Sequence, residues 1–260
     1  MWQWLYKLGS PKWFYTIGNR VLPWLWGVTG LLLVVGIIWG LGFSPPDYQM
    51  GDNYRIIYLH VPAAGLMKGS FYMMALCSAA LLIWKIKMAD IVAKAVAPIG
   101  AMATLLMLVS GSLWGIPTWG TWWIWDARLT SSLLQFFIFV GIIALRSAIE
   151  SRDSAAKACA VLTLVGLVNI PIIEYSVEWW NTLHQGASDL SLRDSSANPP
   201  EIWIPAFFTG FGFIGLFFIG LILRSQNEIL LRERRSQWVK DLLLTDNAKA
   251  DTESGINTNA

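Results

Sequence analysis

The sequence predicts an all-α integral membrane protein with six transmembrane helices, both termini cytoplasmic, and a tryptophan-rich outer loop between the third and fourth helices. Three observations carry this prediction. Of the 260 residues, 55% are hydrophobic and only 14% charged, against roughly 25% charged in an ordinary soluble domain. Six apolar stretches reach the roughly 20 residues that a bilayer core requires of a helix. Lysine and arginine fall almost wholly on one side of those stretches. So little charge cannot cover a soluble globule or keep a chain unfolded. A net charge of +2 excludes a nucleic-acid binder, and two cysteines make neither a disulfide framework nor a four-thiolate metal site.

The elements follow in order. Residues 1–20 hold Trp2, Trp4, Trp13 and Tyr15 beside Lys7, Lys12 and Arg20, the composition of a cytoplasmic interfacial segment. The run that follows lacks a small-residue cleavage site, so it reads as a span and not as a secretory signal. The six spans are Val21–Phe43, Val61–Trp84, Ala95–Ile116, Leu129–Leu145, Ala158–Val177 and Trp203–Leu223. They form one membrane domain, 21–223, without a Gly- or Ser-rich linker or an internal repeat. Pro62 suits the first turn of its helix, where its missing N–H is not needed. Pro171, after Asn169, should kink the fifth span. Residues 224–260 begin as an amphipathic cytoplasmic helix that includes Trp238, and become polar and disordered from about Asp246. Period-two alternation is absent, so no strand reading competes.

Orientation comes from the short loops. One side carries Lys7, Lys12, Arg20, Lys85, Lys87, Lys94, Arg146, Arg152, Lys157, Arg224, Arg232, Arg234, Arg235, Lys240 and Lys249; the other carries only Arg55, Arg128 and Arg193. The rich side is cytoplasmic. Lys68 is left inside the second span. A charge there needs a partner or a route to the interface. Glu174 and Glu178 share one helix face, so a pair with either is one reading, and snorkelling is the other. Cys77 and Cys159, without a Cys-x-x-Cys spacing, read as small packing residues.

Both histidines fall on the outer side, His60 at the mouth of the second span and His184 in the loop before the sixth. The third outer loop holds Trp114, Trp119, Trp122, Trp123 and Trp125, followed by Asp126 and Arg128. An interfacial aromatic belt explains one or two tryptophans per helix end, but not five together with Gly and Pro. A dense aromatic shelf suits a large flat π ligand with a polar edge. Two outer histidines flanking such a shelf would make a six-coordinate haem, with Arg55 and Arg128 set against its propionates. Asp126 would orient an indole N–H or the arginine, or cap the fourth helix.

The run Trp119-Gly120-Thr121-Trp122-Trp123-Ile124-Trp125-Asp126 resembles the tryptophan-rich "WWD" signature of the haem-handling protein superfamily. With six spans and one histidine in each flanking outer region, the chain looks like the cytochrome c maturation protein C family (CcmC, haem exporter protein C) over about residues 20–225. The resemblance implies that haem b is bound at the outer face of the bacterial inner membrane and presented to a periplasmic haem chaperone. It implies His60 and His184 as axial ligands, and Trp114, Trp119, Trp123, Trp125 and Asp126 as the haem and chaperone platform. It also implies an ABC-type complex with an ATPase subunit, a second membrane permease subunit and a small single-span subunit. No Gly-x-x-x-x-Gly-Lys-[Ser/Thr] loop occurs here, so ATP hydrolysis belongs to a partner, and the chain reads as a haem-handling subunit and not an enzyme. The competing readings are a bis-histidine b-type membrane cytochrome and a cofactor-free solute permease. The first keeps its haem buried between spans, whereas both histidines here lie at or beyond span ends. The second needs broken helices in matching halves.

Overall fold

A computed structural model describes residues 9–47, 49–184 and 200–244. Six helical segments are long and apolar enough to cross a membrane. They comprise α1 (Pro11–Gly42), α2 (Ile57–Trp84), α3 (Lys87–Trp119), α4 (Ala127–Ala148), α5 (Arg152–Gly166) with α6 (Asn169–Trp179) as one broken span, and α7 (Pro200–Arg232). Among the described residues the only extended pairing is a single bridge between Asp47 and Gly51.

The helices run past the apolar stretches that announce them. Helix α1 starts at Pro11, the N1 position after Ser10, so residues 11–20 of the expected interfacial segment form its first turns. At the other end of the chain α7 continues to Arg232, and a turn leads into a short helix α8 over 237–244. Trp238 packs on Tyr15 with ring centroids 5.8 Å apart and gives its Nε1–H to Glu233 Oε2, and Val239 is buried. The polar stretch from Asp246 lies outside the described residues.

Helix α3 is the centre of the bundle. It packs against α2, α4 and α7, while α1 lies along α7 and α5 bridges α2 and α4. The main core joins Met67, Phe71, Met74, Val96, Met107 and Phe139. Lipid supplies no hydrophobic drive between helices, so close approach of small residues matters more. At the α1–α7 seam a Cβ on Gly36 would sit 2.7 Å from the backbone nitrogen of Thr209. Dispersion contact between the two backbones replaces side-chain interlock there.

The fifth span breaks where the proline demands it. Pro171 cannot donate, and its ring would meet the carbonyl four residues back, at Leu167. The chain answers with three-residue hydrogen bonds at Val168 N to Val165 O (3.3 Å) and Ile170 N to Leu167 O (3.1 Å). Asn169 fixes the break against α4 by donating from Nδ2 to Ser131 O (2.9 Å) and Gln135 Oε1 (3.0 Å). Just beyond the break, Glu174 accepts from Lys68 Nζ at 2.6 Å. Of the two glutamates expected as partners for the intramembrane lysine, Glu174 is the one that pairs, and it ties α6 to α2.

Candidate haem site at one end of the bundle

Two short structural devices bring the histidines together. The first is on α3. A Cβ on Gly111 would lie 2.9 Å from His60 Cε1, so only glycine leaves room for the imidazole of α2 against this helix. One residue earlier, Ser110 Oγ lies 3.1 Å from His60 Nδ1 and itself donates to Leu106 O at 2.7 Å. With its own proton committed to a carbonyl, Ser110 accepts from Nδ1–H. That fixes the tautomer and leaves the Nε2 lone pair for a metal, as is usual for ligating histidines, whose second nitrogen is tied down.

The second device is the end of α3. Gly120, at φ +73°, takes the left-handed conformation that closes the helix, and its N–H bonds to Ile116 O at 3.0 Å. A side chain is strained at such a φ, and glycine is not. The chain then runs without helix over 120–126. Thr121 Oγ1 donates to Trp123 O at 3.2 Å, and Asp126 Oδ1 accepts from Leu129 N at 2.7 Å to cap α4. Capping, one of the roles expected for Asp126, is the one the structure displays.

These devices assemble the tryptophans around the imidazoles. His60 meets Trp114 edge-on with ring centroids 5.8 Å apart. His184, just past α6, lies 5.9 Å from Trp119. Trp123 contacts Trp122 at 6.2 Å and Trp125 at 5.5 Å. Trp122 and Trp125 are 65% and 74% exposed, whereas Trp114, Trp119 and Trp123 are half-buried. The outer two tryptophans therefore face outward, Trp114 and Trp119 meet the histidines, and Trp123 joins the outer pair.

The imidazoles of His60 and His184 have centroids 6.4 Å apart, with planes inclined by 33°. Two imidazoles each about 2 Å from one shared metal, the usual length of a metal–histidine bond, have centroids about 6 Å apart. Three buried polar atoms, Trp114 Nε1 at the end of α3 and Trp123 Nε1 and Asp126 Oδ2 in the loop, have no hydrogen-bond partner among the described residues. Buried groups of this kind are rare in a finished structure and call for a ligand or solvent.

The two arginines differ. Arg55 is committed to its own loop. It donates to Leu41 O and to Ser44 O (2.9 Å) and pairs with Asp52 at 3.1 Å. It holds the 3₁₀ turn Asp52–Ile56 to the end of α1. Arg128 is half-buried at the start of α4, and among the described residues its side chain makes no hydrogen bond or ion pair. Arg193, the third outer cation, lies outside the described residues. Ser110 and Gly111 were not among the expected site residues.

Six spans, two imidazole rings 6.4 Å apart and a half-exposed tryptophan cluster at one end of the bundle define a helical membrane protein with a candidate site for a flat, metal-centred ligand. The comparisons agree with that class. The chain matches the model of the CcmC family, described as "Heme exporter protein C", over residues 4–240. It is 48% identical over 244 residues to the heme exporter protein C of Escherichia coli K12, covering 94% of this chain and 98% of that one. It is 44% identical over 245 residues to that of Haemophilus influenzae, covering 94% and 99%. It is 45% identical over 232 residues to that of Bradyrhizobium diazoefficiens, covering 89% and 88%. The chain belongs to the haem exporter protein C family.

Proposed function

We propose that the chain binds haem b at the periplasmic face of the bacterial inner membrane and delivers it to a periplasmic haem chaperone during cytochrome c maturation. It works as the haem-handling subunit of an ABC-type complex whose ATPase, second membrane subunit and small single-span subunit are separate chains. The observation that carries this reading is the 6.4 Å separation of the His60 and His184 rings, the spacing of two imidazoles on one iron. The family membership and the asymmetry of lysine and arginine support it.

The residues divide the work. His60 rides on α2 and is locked by Ser110, so it is the fixed axial ligand. His184 follows α6 and belongs to no helix, so it is the ligand that yields when the chaperone arrives. Arg128 neutralises a propionate, and the indole N–H groups of Trp114 and Trp123 donate to the same acidic edge. Arg55, bound to two carbonyls and Asp52 through its terminal nitrogens, shapes the adjacent loop and keeps only its buried Nε–H for a propionate. Trp122 and Trp125 present aromatic surface to the partner, the residue type that dominates protein–protein hot spots.

Replacing the two exposed tryptophans separates holding from handing over. In the Trp122→Ala/Trp125→Ala variant the haem absorption spectrum of the membrane protein is retained, while covalent loading of the purified periplasmic chaperone falls at least tenfold, a loss of about 1.4 kcal/mol or more in the transfer complex. Transfer at the wild-type rate overturns the platform role. Ser110→Ala tests the fixed ligand. It removes the hydroxyl from Nδ1 and leaves the Met107 carbonyl as the imidazole's remaining acceptor, and loss of such an outer-shell partner weakens metal binding by about 10–100-fold. Haem titration of the variant checks this, together with a shift in reduction potential that a merely structural change would not produce; Ser110→Thr restores both.

A further inference from the structure

At the end of the bundle opposite the histidines, two adjoining cavities open, the inner one among α2, α3, α4, α5 and α7 and the outer one among α3, α4, α5 and α7. The inner one, about 140 Å³, is walled mainly by apolar side chains such as Met74 and Leu81, and the charged side chains of Asp90, Lys94, Arg146 and Arg224 also line it. The outer one, about 200 Å³, shares Lys94 and Arg146 and adds Arg152, Arg232, Arg234 and Glu228. An apolar chamber thus lies beneath a cationic mouth, and two basic side chains belong to both.

The mouth carries more positive charge than its carboxylates can match. Asp90 takes Arg146 at 2.6 Å and Arg232 at 2.7 Å. Glu228 takes Lys94 and Arg232, each at 2.6 Å. Both carboxylates are therefore saturated by three cations. Arg152 and Arg234 face the same space, and among the described residues neither guanidinium has a hydrogen bond or ion pair. A cluster of guanidinium groups with no carboxylate left for them matches the planar, bidentate recognition of phosphate. Basic pockets between transmembrane helices at the membrane surface hold anionic lipid head groups.

We propose that this mouth binds a phosphate group, and that an anionic phospholipid supplies it. Arg152 and Arg234 take the phosphodiester, Lys94 and Arg146 reach it from the inner side, and the apolar chamber receives the adjoining part of the lipid. Leu231 and Ile149, which also line the outer cavity, continue the apolar surface toward the bilayer. A soluble phosphate would use the guanidinium groups but gain nothing from the chamber. The proposal is independent of the haem site.

The test is native mass spectrometry of the full chain released from nanodiscs of phosphatidylglycerol or of phosphatidylcholine. The wild type is expected to retain phosphatidylglycerol through detergent exchange and to lose phosphatidylcholine. The Arg152→Gln/Arg234→Gln variant, altered only at exposed side chains, is expected to retain phosphatidylglycerol at least tenfold less, since each cation near an anionic lipid surface adds to the attraction and two are removed together. A control variant, Lys157→Gln, changes an exposed cation that lines neither cavity and should leave retention at the wild-type level. Equal retention of the two lipids by the wild type, or equal retention of phosphatidylglycerol by wild type and double variant, overturns the site. Displacement of the lipid by millimolar inorganic phosphate overturns the lipid as the source of the anion.

Discussion

His60→Ala and His184→Ala should each abolish the six-coordinate low-spin absorption spectrum that added haem gives the wild-type chain. The two histidines are the only ones in the sequence, so no third imidazole can substitute. Their rings already stand at the separation of two ligands on one metal. Loss of an outer-shell partner alone weakens metal sites by about 10–100-fold, and loss of a ligand should exceed that. The two variants should also differ from each other. His60 is pinned between Gly111 and Ser110 on a rigid helix, so His60→Ala should empty the site. His184 lies beyond the last turn of α6, so His184→Ala should leave a five-coordinate haem that exchanges faster. An unchanged six-coordinate spectrum in both variants would remove the ligand assignment. A colourless wild type after haem addition would favour a cofactor-free permease. A haem that stays in place when a periplasmic acceptor is supplied would favour an electron-transferring b-type cytochrome.

The sequence revealed the parts of this site that depend on residue type and side of the membrane. Composition, span length and the lysine and arginine count required no tertiary information, and they put both histidines and five tryptophans on one face. The break at Pro171 was legible because its cause is local: a missing N–H and a ring clash. The need of Lys68 for a partner or a route to the interface was legible because a charge in an apolar span is costly, but the choice of Glu174 over Glu178 or snorkelling came only with the fold. What stayed hidden depends on contacts between distant spans. Ser110 is 50 positions from His60, and nothing in an apolar run with a serine says which neighbour its hydroxyl will meet. Gly111 likewise shows its purpose only when the imidazole lies against it. Arg55 looked equivalent to Arg128 as an outer cation. The fold separates them, because Arg55 bonds the carbonyls of Leu41 and Ser44 and pairs with Asp52, while the Arg128 side chain makes no hydrogen bond or ion pair among the described residues.

The ion network at the basic end was also out of reach of the sequence, and it carries the second large effect. Asp90→Asn should be the most destabilising single change outside the haem site. The Asp90 side chain is 5% exposed and holds two cations that are themselves only 15% and 20% exposed, Arg146 and Arg232. One contact is a hydrogen bond, from Arg232 Nη2 to Oδ2 at 2.7 Å. The other, from Arg146 Nη1 to Oδ1 at 2.6 Å, is a charge contact off the hydrogen-bond direction. Asparagine keeps the size but removes the charge from between two guanidinium groups. Glu228 can still serve Arg232 through Oε1 at 2.6 Å, so Arg146 is the group left uncompensated. Removing one partner of a buried ion pair costs about 3–5 kcal/mol, which for a domain of this size corresponds to a fall of about 10 °C in apparent melting temperature. Tryptophan fluorescence during heating in detergent would record it. Because the cost comes from a stranded cation and not from a lost contact, Asp90→Asn/Arg146→Met should recover most of the loss. A double variant as unstable as Asp90→Asn would mean that Asp90 acts through packing or through Arg232 instead. The network joins α3, α4 and α7, whereas the haem ligands come from α2 and from the chain after α6, so the haem spectrum of the folded fraction should be unchanged.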